Sequence, residues 1–533
     1  MQSVPVLIVG AGPTGLATAL FLAHHGVRSL VVERHPSTSI FIKARGIDFR
    51  TMEIFRPLGL EKKLRTQVGT LSQNTLLLVV ETLAGKEQQR NSIAWMTQPE
   101  GTFEQISPSS WLLGSQAIFE HVLAREVRQR ESDIRFNTEL LSFTQNESGV
   151  SAQVLDKTTG EQQSIHATYL IAADGIHSPV RQQLTLPWES YSAPEPRIII
   201  SFRADLSALV RERLFLFCFI HNSNMAGILA PINNTDLWQL NIQSTPEKEV
   251  SLEEFPAQRC RELIRQAVGL AELEVEIQHI MLTQDATGIA TSFQQGRVLL
   301  AGDAAHQVPS GLNSGIQDAQ NLAWKLAFVL QGKAGPALLA TYEVERRLAA
   351  RIKAEAATRP PRPEHPEELL DAPEEEQQVL PDEVVQTLNH RYVSSAVLAE
   401  PEAHAPVQGT FDLSGYPGTR APHLWLRQQG RRLSTLDLFD GRFVLLTGEE
   451  GSAWLSAAQE VASRQGLALA TYRIGTDNAD LMAEQQQWYT TYGITPTGAV
   501  IVRPDGYIAW RATEKCDDPL QILDSVFSRL LCR

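Results

Sequence analysis

The sequence predicts an α/β protein in which a Rossmann-like sheet is interrupted by a strand-rich insert and followed by a second α/β unit. Residues 4–33 read as strand, glycine-rich turn, helix and strand, the order of a βαβ unit. The segment RVLLAG at 297–302 has the composition of a buried parallel strand, although residues 187–285 before it are strand-rich and different in character. Residues 406–533 then alternate strands and helices again.

The order of these patterns divides the chain into three folded parts and a linker. A chain of 533 residues is long enough for about three domains. Because the strand near residue 300 returns to the sheet that begins near residue 4, the Rossmann-like domain is expected to be discontinuous. The expected parts are the Rossmann-like domain at 1–70, 100–186 and 286–358, the β-rich insert at 71–99 and 187–285, a Pro- and Glu-rich linker at 359–405, and the C-terminal domain at 406–533.

Composition excludes several kinds of partner. The net charge of -14 argues against nucleic acid, which is usually bound by a basic surface, and against an anionic membrane surface. The longest apolar runs, such as LFLFCFI at 214–220, have the length of strands, so no membrane span is expected. The four cysteines are scattered and the N-terminus reads as a strand, not a signal peptide, so a cytoplasmic protein is predicted.

The turn after the first strand has the spacing of a dinucleotide-binding loop. Gly10 permits a tight turn, Gly12 lets backbone approach a pyrophosphate, and Gly15 permits close packing of helix on sheet. Glu33 ends the next strand, 18 positions after Gly15, where a carboxylate can bind ribose hydroxyls. The alternative is a tight glycine turn with a structural glutamate.

Two more strands end in a carboxylate. LIAADG reaches Asp174, and RVLLAGD reaches Gly302 and Asp303, where a carboxylate can accept hydrogen bonds from a polyol chain such as ribityl. Each motif alone is equally compatible with an Asx turn. A metal site is not expected around Asp303 and His306 because three or four converging ligands are missing, and a hydrolytic Asp/His pair lacks a nucleophile elbow.

Together the three motifs resemble the group A flavoprotein aromatic hydroxylases, the family of para-hydroxybenzoate hydroxylase and phenol hydroxylase. The resemblance is closest to hydroxylases of aromatic polyketide and indolocarbazole pathways and extends over nearly the whole chain. It implies a Rossmann-like FAD-binding domain of the GR2 type, an inserted antiparallel β-sheet substrate domain and a thioredoxin-like C-terminal domain. The tail lacks C-x-x-C, so packing or dimerisation is expected of it, in a monomer or a homodimer.

The resemblance also implies which residues hold FAD. Gln116 matches a glutamine that contacts FAD, and either Lys43 or Arg45 reaches the flavin. The helix that begins near Ser314 would direct backbone N–H groups at the flavin pyrimidine ring and stabilise the negative charge of reduced flavin. No metal ligand is expected, and the expected cofactor-binding residues are Gly10, Gly12, Pro13, Thr14, Gly15, Glu33, Arg34, Lys43, Arg45, Gln116, Asp174, Gly302, Asp303, Pro309, Gly311, Leu312 and Asn313.

One loop departs from the family pattern. The family reads H-x-x-P-P-x-G-G-x-G-x-N before this helix, whereas this chain has HQVPSGLN, with seven positions from His306 to Asn313 and four residues fewer. The missing part normally runs past the isoalloxazine ring and forms part of the substrate cavity. Three consequences stay open: more space for a large substrate, altered flavin mobility, or loss of productive flavin binding.

The resemblance implies an oxidoreductase of secondary metabolism, such as antibiotic biosynthesis. NADH or NADPH, bound transiently, would reduce FAD, and O2 would form a C4a-hydroperoxyflavin that hydroxylates a phenolic or polycyclic aromatic substrate. No catalytic side chain is identified. The alternatives are Baeyer–Villiger or dehydrogenation chemistry on the same fold, or a degenerate member that binds an aromatic ligand without redox chemistry. The expected substrate-facing residues are Phe219, His221, Trp238, Asn241 and Trp95, each with core packing as the alternative.

Overall fold

The structure is a computed structural model that describes residues 2–39, 44–97, 102–243, 251–358, 382–388, 390–400, 414–475, 479–483 and 487–533. Its strands are Gln2–Val9 (β1), Ser29–Val32 (β2), Gly46–Ile47 (β3), Leu76–Val80 (β4), Glu87–Ser92 (β5), Leu112–Leu113 (β6), Asp133–Arg135 (β7), Thr138–Asn146 (β8), Gly149–Asp156 (β9), Gln162–Ala172 (β10), Trp188–Ser190 (β11), Glu195–Arg203 (β12), Phe215–His221 (β13), Ala226–Pro231 (β14), Leu237–Gln243 (β15), Glu276–Asp285 (β16), Gly288–Ala290 (β17), Gln294–Gln295 (β18), Val298–Leu300 (β19), His306–Gln307 (β20), Trp425–Gln428 (β21), Arg431–Ser434 (β22), Phe443–Thr447 (β23), Leu469–Gly475 (β24), Leu481–Ala483 (β25), Ala499–Val502 (β26) and Ile508–Ala512 (β27). Its α-helices are Pro13–His24 (α1), Phe49–Phe55 (α2), Leu60–Gln67 (α3), Ala94–Thr97 (α4), Thr102–Ile106 (α5), Gln116–Gln129 (α6), Pro179–Gln183 (α7), Ser207–Val210 (α8), Ala257–Val268 (α9), Gly311–Leu330 (α10), Ala340–Ala357 (α11), Asp382–Leu388 (α12), Ser452–Gln465 (α13), Gln487–Tyr492 (α14) and Pro519–Leu530 (α15).

The first sheet is built from strands that are far apart in the sequence. Its order is β18-β19-β10-β1-β2-β7, with β9 and β8 added beside β10. β1 runs parallel to β2 and β10, and β10 runs parallel to β19. The carboxyl ends of β1, β10 and β19 therefore meet at one edge of the sheet, which brings Gly10, Asp174 and Gly302 together.

The second sheet is the insert. Its order is β16-β12-β15-β14-β13-β4-β5, so strands from before and after β10 in the chain share it. One face is covered by α9, because Cys218, Ile220 and Leu240 lie in one buried cluster with Ile264 of that helix. Successive side chains of a strand point to opposite faces, so the residues between these core positions line the other face.

The C-terminal sheet has the order β22-β21-β25-β24-β23-β26-β27, with β23 and β24 parallel and β26 and β27 antiparallel. An Asp-Gly turn at Asp505 and Gly506 joins β26 to β27, and Gly506 has a φ of +81°. This domain packs directly on α10, since Trp324 and Phe328 of that helix share a buried cluster with Phe443. The C-terminal domain thus supports the helix that follows the short loop.

The described part of the expected linker also packs on the first domain. Val384 and Leu388 of α12 lie in an apolar cluster with Phe49, Phe103 and Trp111. Within the described ranges, no helix is both long and apolar enough to cross a bilayer. Over the same ranges, no group of three or more His, Cys, Asp or Glu side chains is arranged to hold a metal ion.

Candidate functional site

The glycine loop after β1 is held in the shape that its sequence predicts. Gly10 has a φ of +103° and donates its N–H to Val32 O at 2.8 Å. A Cβ on Gly15 would overlap the carbonyl oxygen of Gly10, so only glycine lets α1 begin this close to β1. Gly12 differs, because a Cβ there meets no atom of the described ranges within 4 Å. The backbone at Gly12 therefore borders open space just before Pro13, the first residue of α1.

Glu33 closes the same loop from the end of β2. Its Oε2 accepts a hydrogen bond from Ala11 N at 2.8 Å, and its Oε1 accepts one from His35 N at 2.9 Å. The carboxylate therefore lies at the glycine loop, where a ribose diol could be bound. The neighbouring Arg34 is exposed, and Lys43 lies outside the described residues.

Asp174 follows β10 and retains an unused acceptor. Its Oδ2 accepts a hydrogen bond from Val180 N at 3.1 Å, while its Oδ1 is buried and has no hydrogen-bond partner among the described residues. Burial raises the pKa of this carboxyl. Arg181 of the same motif donates to Ala304 O at 2.8 Å, which ties this motif to the loop after β19.

The third motif touches the first. Gly302 has a φ of +60°, and a Cβ on Gly302 or on Gly315 would overlap the Thr14 hydroxyl. Asp303 follows at an exposed position, and its Oδ1 lies 3.2 Å from where a Cβ on Gly311 would stand. The short loop therefore folds back on itself, so that its carboxylate faces the first residue of α10.

The short loop ends in a left-handed turn. After β20 the exposed Pro309 leads to Ser310, which has a φ of +58° and precedes Gly311 at the start of α10. Such a φ is uncommon for a residue with a side chain. Asn313 in the first turn is buried, and its Oδ1 accepts a hydrogen bond from Asp48 N at 2.9 Å. Leu312 is half-buried beside it.

A buried ion-pair cluster, absent from the sequence-based site, anchors both ends of this loop. Asp318 Oδ2 accepts from Gly302 N at 3.0 Å and lies 2.6 Å from His306 Nε2. Its Oδ1 accepts from Arg346 Nε at 2.6 Å. Burial alone would raise the pKa of Asp318, but the charges of His306 and Arg346 hold it well below its ordinary value. The pattern of the sequence gives no signal for Arg346, because it comes from the next helix.

Arg45 crosses from the first domain to the insert. Its guanidinium donates to Pro231 O and, at 2.6 Å, to Gln239 Oε1. Burial lowers the pKa of Arg45 to about 9, which leaves it positively charged at neutral pH. The segment that carries it is fixed by Gln116, whose Oε1 accepts from Ala44 N at 3.2 Å. Gln239 was missed in the sequence, although it lies two positions before Asn241 and so on the same strand face.

The face of the insert that meets Arg45 carries most of the expected substrate-facing residues. Phe219 pairs with Ile228, which pairs in turn with Asn241, so the three side chains lie in one row across β13, β14 and β15. Phe219 is 37% exposed, and His221 is exposed at the end of the same strand. Asn241 is partly buried, and within the described part of the chain its Oδ1 has no hydrogen-bond partner.

Trp238 does not belong to this face, and its assignment to the cavity wall is wrong. It is 1% exposed in the core between the sheet and α9, and its Nε1 donates to Ala204 O at 2.9 Å. The reason is strand alternation, because residues three apart on a strand point in opposite directions. Trp238 and Asn241 therefore cannot line the same cavity. Trp95 is 39% exposed and packs edge-on against Trp111.

These residues fit a flavin dinucleotide. The open space at Gly12 admits a pyrophosphate, and the unused Oδ1 of Asp174 offers an acceptor to a hydroxyl or N–H group. The first N–H groups of α10 have no intrahelical acceptor, so they can bind an electron-rich ring edge. The same edge of the sheet thus offers space for a pyrophosphate, three strand-end carboxylates and a helix N-terminus.

Comparisons with known proteins show the family of the chain. The chain matches the family described as "FAD binding domain" over residues 3–357 and the family described as "Aromatic-ring hydroxylase, C-terminal" over residues 414–532. It is 40% identical to a putative polyketide hydroxylase of Streptomyces halstedii, over 96% of this chain and 94% of that protein. It is 38% identical to the tetracenomycin A2 monooxygenase-dioxygenase of Streptomyces glaucescens, over 100% of this chain and 97% of that protein.

A solved structure extends the similarity to the whole fold. The ternary complex of aklavinone-11 hydroxylase with FAD and aklavinone superposes with a TM-score of 0.88 at 35% identity. The match covers 100% of both chains. The expected α/β fold, with an FAD-binding domain and further sheets, is confirmed, and so is the expected resemblance to aromatic hydroxylases.

Proposed function

The chain belongs to the FAD-dependent aromatic-ring hydroxylases, which are flavoprotein monooxygenases, and we propose that it hydroxylates an aromatic polyketide in a reaction that consumes NAD(P)H and O2. The observation that supports this substrate class is the similarity over the full length of the chain to a hydroxylase solved with FAD and aklavinone bound. The polyketide hydroxylase of Streptomyces halstedii, at 40% identity, supports the same class.

The residues that would hold FAD surround the edge of the first sheet. Gly12 and the start of α1 would bind the pyrophosphate, and Glu33 the ribose hydroxyls. Asp303 would accept hydrogen bonds from the ribityl chain. The backbone N–H groups of Leu312 and Asn313 would meet the pyrimidine ring of the flavin. Support for this arrangement comes from the open space at Gly12 and from the turn that places Asp303 beside Gly311.

When bound, FAD would supply hydride acceptance and the activation of O2. In the overall reaction one oxygen atom enters the ring as a hydroxyl group and the other leaves as water. NAD(P)H gives up a hydride, and one proton comes from solvent. The chain contributes binding, orientation and exclusion of water, so no nucleophile or metal is needed from its own side chains.

The face of the insert that meets Arg45 would cover the bound substrate. Phe219 and Ile228 give it an apolar surface for a fused ring system, and Asn241 offers an unused acceptor for a substrate hydroxyl. Arg45 links this face of the insert to the first domain through its hydrogen bond to Gln239. Its positive charge would favour the phenolate form of the substrate over the phenol. Apolar contact and a few polar groups together suit a polyhydroxylated aromatic ligand.

Incorporation of more than one oxygen atom is the second candidate reaction. It is favoured by the 38% identity to a protein named a monooxygenase-dioxygenase. Baeyer–Villiger insertion and dehydrogenation remain alternatives on the same fold, and they differ from hydroxylation in the structure or mass of the product.

The proposed function is tested with purified protein. FAD content is measured from the yellow flavin spectrum, and NADH or NADPH oxidation is followed with and without aklavinone. We expect bound FAD, faster NAD(P)H oxidation with the polyketide, and a product heavier by one oxygen atom. A colourless protein that takes up no added FAD contradicts the proposal, and a product two hydrogens lighter identifies a dehydrogenase. A gain of two oxygen atoms identifies the second candidate.

A further inference from the structure

The segment at 390–400 lies on the C-terminal domain and brings one tyrosine to the first domain. Tyr392 N donates to Gly418 O at 2.8 Å, and a Cβ on Gly418 would overlap Tyr392 O, so the segment packs directly on this domain. The Tyr392 ring stacks on the ring of Tyr507, with 4.2 Å between the centroids. Its hydroxyl group points the other way, to α11 of the first domain.

Arg346 of α11 receives this contact and binds two further groups. Its Nη1 donates to the Tyr392 hydroxyl at 2.9 Å, its Nη2 to Ser314 O at 3.3 Å, and its Nε to Asp318 Oδ1 at 2.6 Å. All four residues are buried. Because Ser314 lies in the first turn of α10, the guanidinium joins this turn to the segment that packs on the C-terminal domain.

Asp318 extends these contacts to the loop after β19. Its Oδ2 accepts from Gly302 N at 3.0 Å and lies 2.6 Å from His306 Nε2. Asp303, the proposed acceptor for the ribityl chain, is the next residue after Gly302. A continuous series of hydrogen bonds therefore runs from Tyr392 to two parts of the proposed flavin site, the first turn of α10 and the loop that carries Asp303.

The three hydrogen bonds of Arg346 fix the orientation of its side chain. A guanidinium is planar and its N–H groups point in set directions, so acceptors on three sides leave it no freedom to rotate. Without the Tyr392 hydroxyl, Nη1 loses this acceptor and the plane can turn away from Ser314 O. The first turn of α10 would then have to be ordered when FAD binds, which costs binding free energy.

We infer that Tyr392 is a positioning residue through which the C-terminal domain, acting on Arg346, holds the FAD-binding loop and the first turn of α10 in place. The inference rests on the proposed binding of FAD at these two elements. It gives the C-terminal domain, which lacks C-x-x-C, a function in cofactor binding.

The test is the affinity of the holoenzyme for FAD, measured from the fluorescence of flavin released on dilution, together with the visible circular dichroism of the bound flavin. Y392F should weaken FAD binding about threefold to tenfold and change the dichroism, because one hydrogen bond that orders the site is lost. Y492F is the matched control. It removes another buried tyrosine hydroxyl of the C-terminal domain, which donates to Pro422 O at 2.7 Å, and should keep the affinity and dichroism of the wild type.

A double variant tests whether Tyr392 acts through Arg346. R346K keeps a cation beside Asp318 but cannot bind three acceptors in the plane of a guanidinium, so it should weaken FAD binding by itself. Adding Y392F to R346K should cause little further loss, because the contact between the two residues is already broken. Losses that simply add would show that Tyr392 acts elsewhere and would overturn the inference.

Equal FAD affinity and dichroism in Y392F, Y492F and the wild type would overturn the inference while leaving the proposed function intact. A wild-type protein that binds no FAD would overturn both. If Y392F does not fold, R346K alone decides, and an affinity equal to that of the wild type would then count against the inference.

Discussion

Arg503 of the C-terminal domain and Glu345 of α11 form a two-pronged ion pair in the interior of the protein. Arg503 Nη1 and Nη2 lie 2.6 and 2.8 Å from the two carboxylate oxygens, and both side chains are fully buried. Lys325 of α10 donates to the same carboxylate at 2.7 Å. Burial alone would raise the pKa of Glu345, but the charges of Arg503 and Lys325 hold it well below its ordinary value. The C-terminal domain is therefore bound to the helix that begins at the proposed flavin site.

Removal of Arg503 should destabilise the whole molecule. R503M leaves Glu345 and Asp505 buried without this cation, and breaking a buried pair costs about 3–5 kcal/mol. We expect a lower unfolding temperature together with easier release of FAD, measured by thermal denaturation and by flavin fluorescence. R464M, which breaks the exposed Arg464–Glu460 pair, should cost less than about 1 kcal/mol. A similar unfolding temperature for both variants would contradict the role assigned to Arg503.

Gly12→Ala should separate FAD binding from folding. A Cβ at this position meets no atom within 4 Å in the part of the chain that the structure describes, so the FAD-free protein should keep its unfolding temperature. The methyl group would occupy the space proposed for the pyrophosphate and should weaken FAD binding at least tenfold, or about 1.4 kcal/mol. Fluorescence titration gives the Kd. G15A is the contrasting variant, because its Cβ overlaps Gly10 O and should lower the unfolding temperature without any ligand. Unchanged FAD affinity in G12A would show that the pyrophosphate binds elsewhere.

The stability contributed by Asp318 should disappear in acid. Because its pKa is depressed in the folded protein, the contribution is fully present above the unfolded value of about 3.9 and is lost as the pH falls through the lower, folded pKa. D318N leaves Arg346 without its carboxylate and should unfold at a lower temperature at pH 7. The difference from the wild type should shrink below about pH 4, in melting curves recorded from pH 7 to pH 3.

The control for this pH dependence is D133N, which changes an exposed carboxylate. It should melt close to the wild type at every pH. A difference between D318N and the wild type that stays constant down to pH 3 would show that Asp318 acts by packing and not by charge.

Asn241→Leu should affect the substrate and not the cofactor. Loss of the unused Oδ1 acceptor removes a hydrogen bond worth about 1–3 kcal/mol in a buried site, so the KM for a hydroxylated polyketide should rise about tenfold or more. FAD content should stay unchanged. W238F is the matched variant on the opposite face, and it should lower stability through its lost hydrogen bond to Ala204 O without raising KM. A raised KM in W238F together with an unchanged KM in N241L would show that the substrate binds on the other face of the sheet.

The local parts of the site could be predicted from the sequence because their causes are local. The φ of +103° at Gly10 and the position of Glu33 after β2 follow from residues that are close together in the chain. Strand alternation is also local, and it separates Trp238 from Asn241 once β15 is recognised. The residue type of Trp238 is compatible with a cavity wall, but its position on the strand puts it in the core.

The sequence by itself determined the fold class, the glycine loop and the carboxylates at the strand ends, since strand, turn and helix signals act over a few residues. Only the tertiary structure decided how the short loop is anchored, because Asp318 meets Arg346 of another helix, and how the C-terminal domain is attached, because Arg503 meets Glu345, 158 residues away. A buried charge must find its partner in space, and sequence spacing does not encode which distant partner it finds.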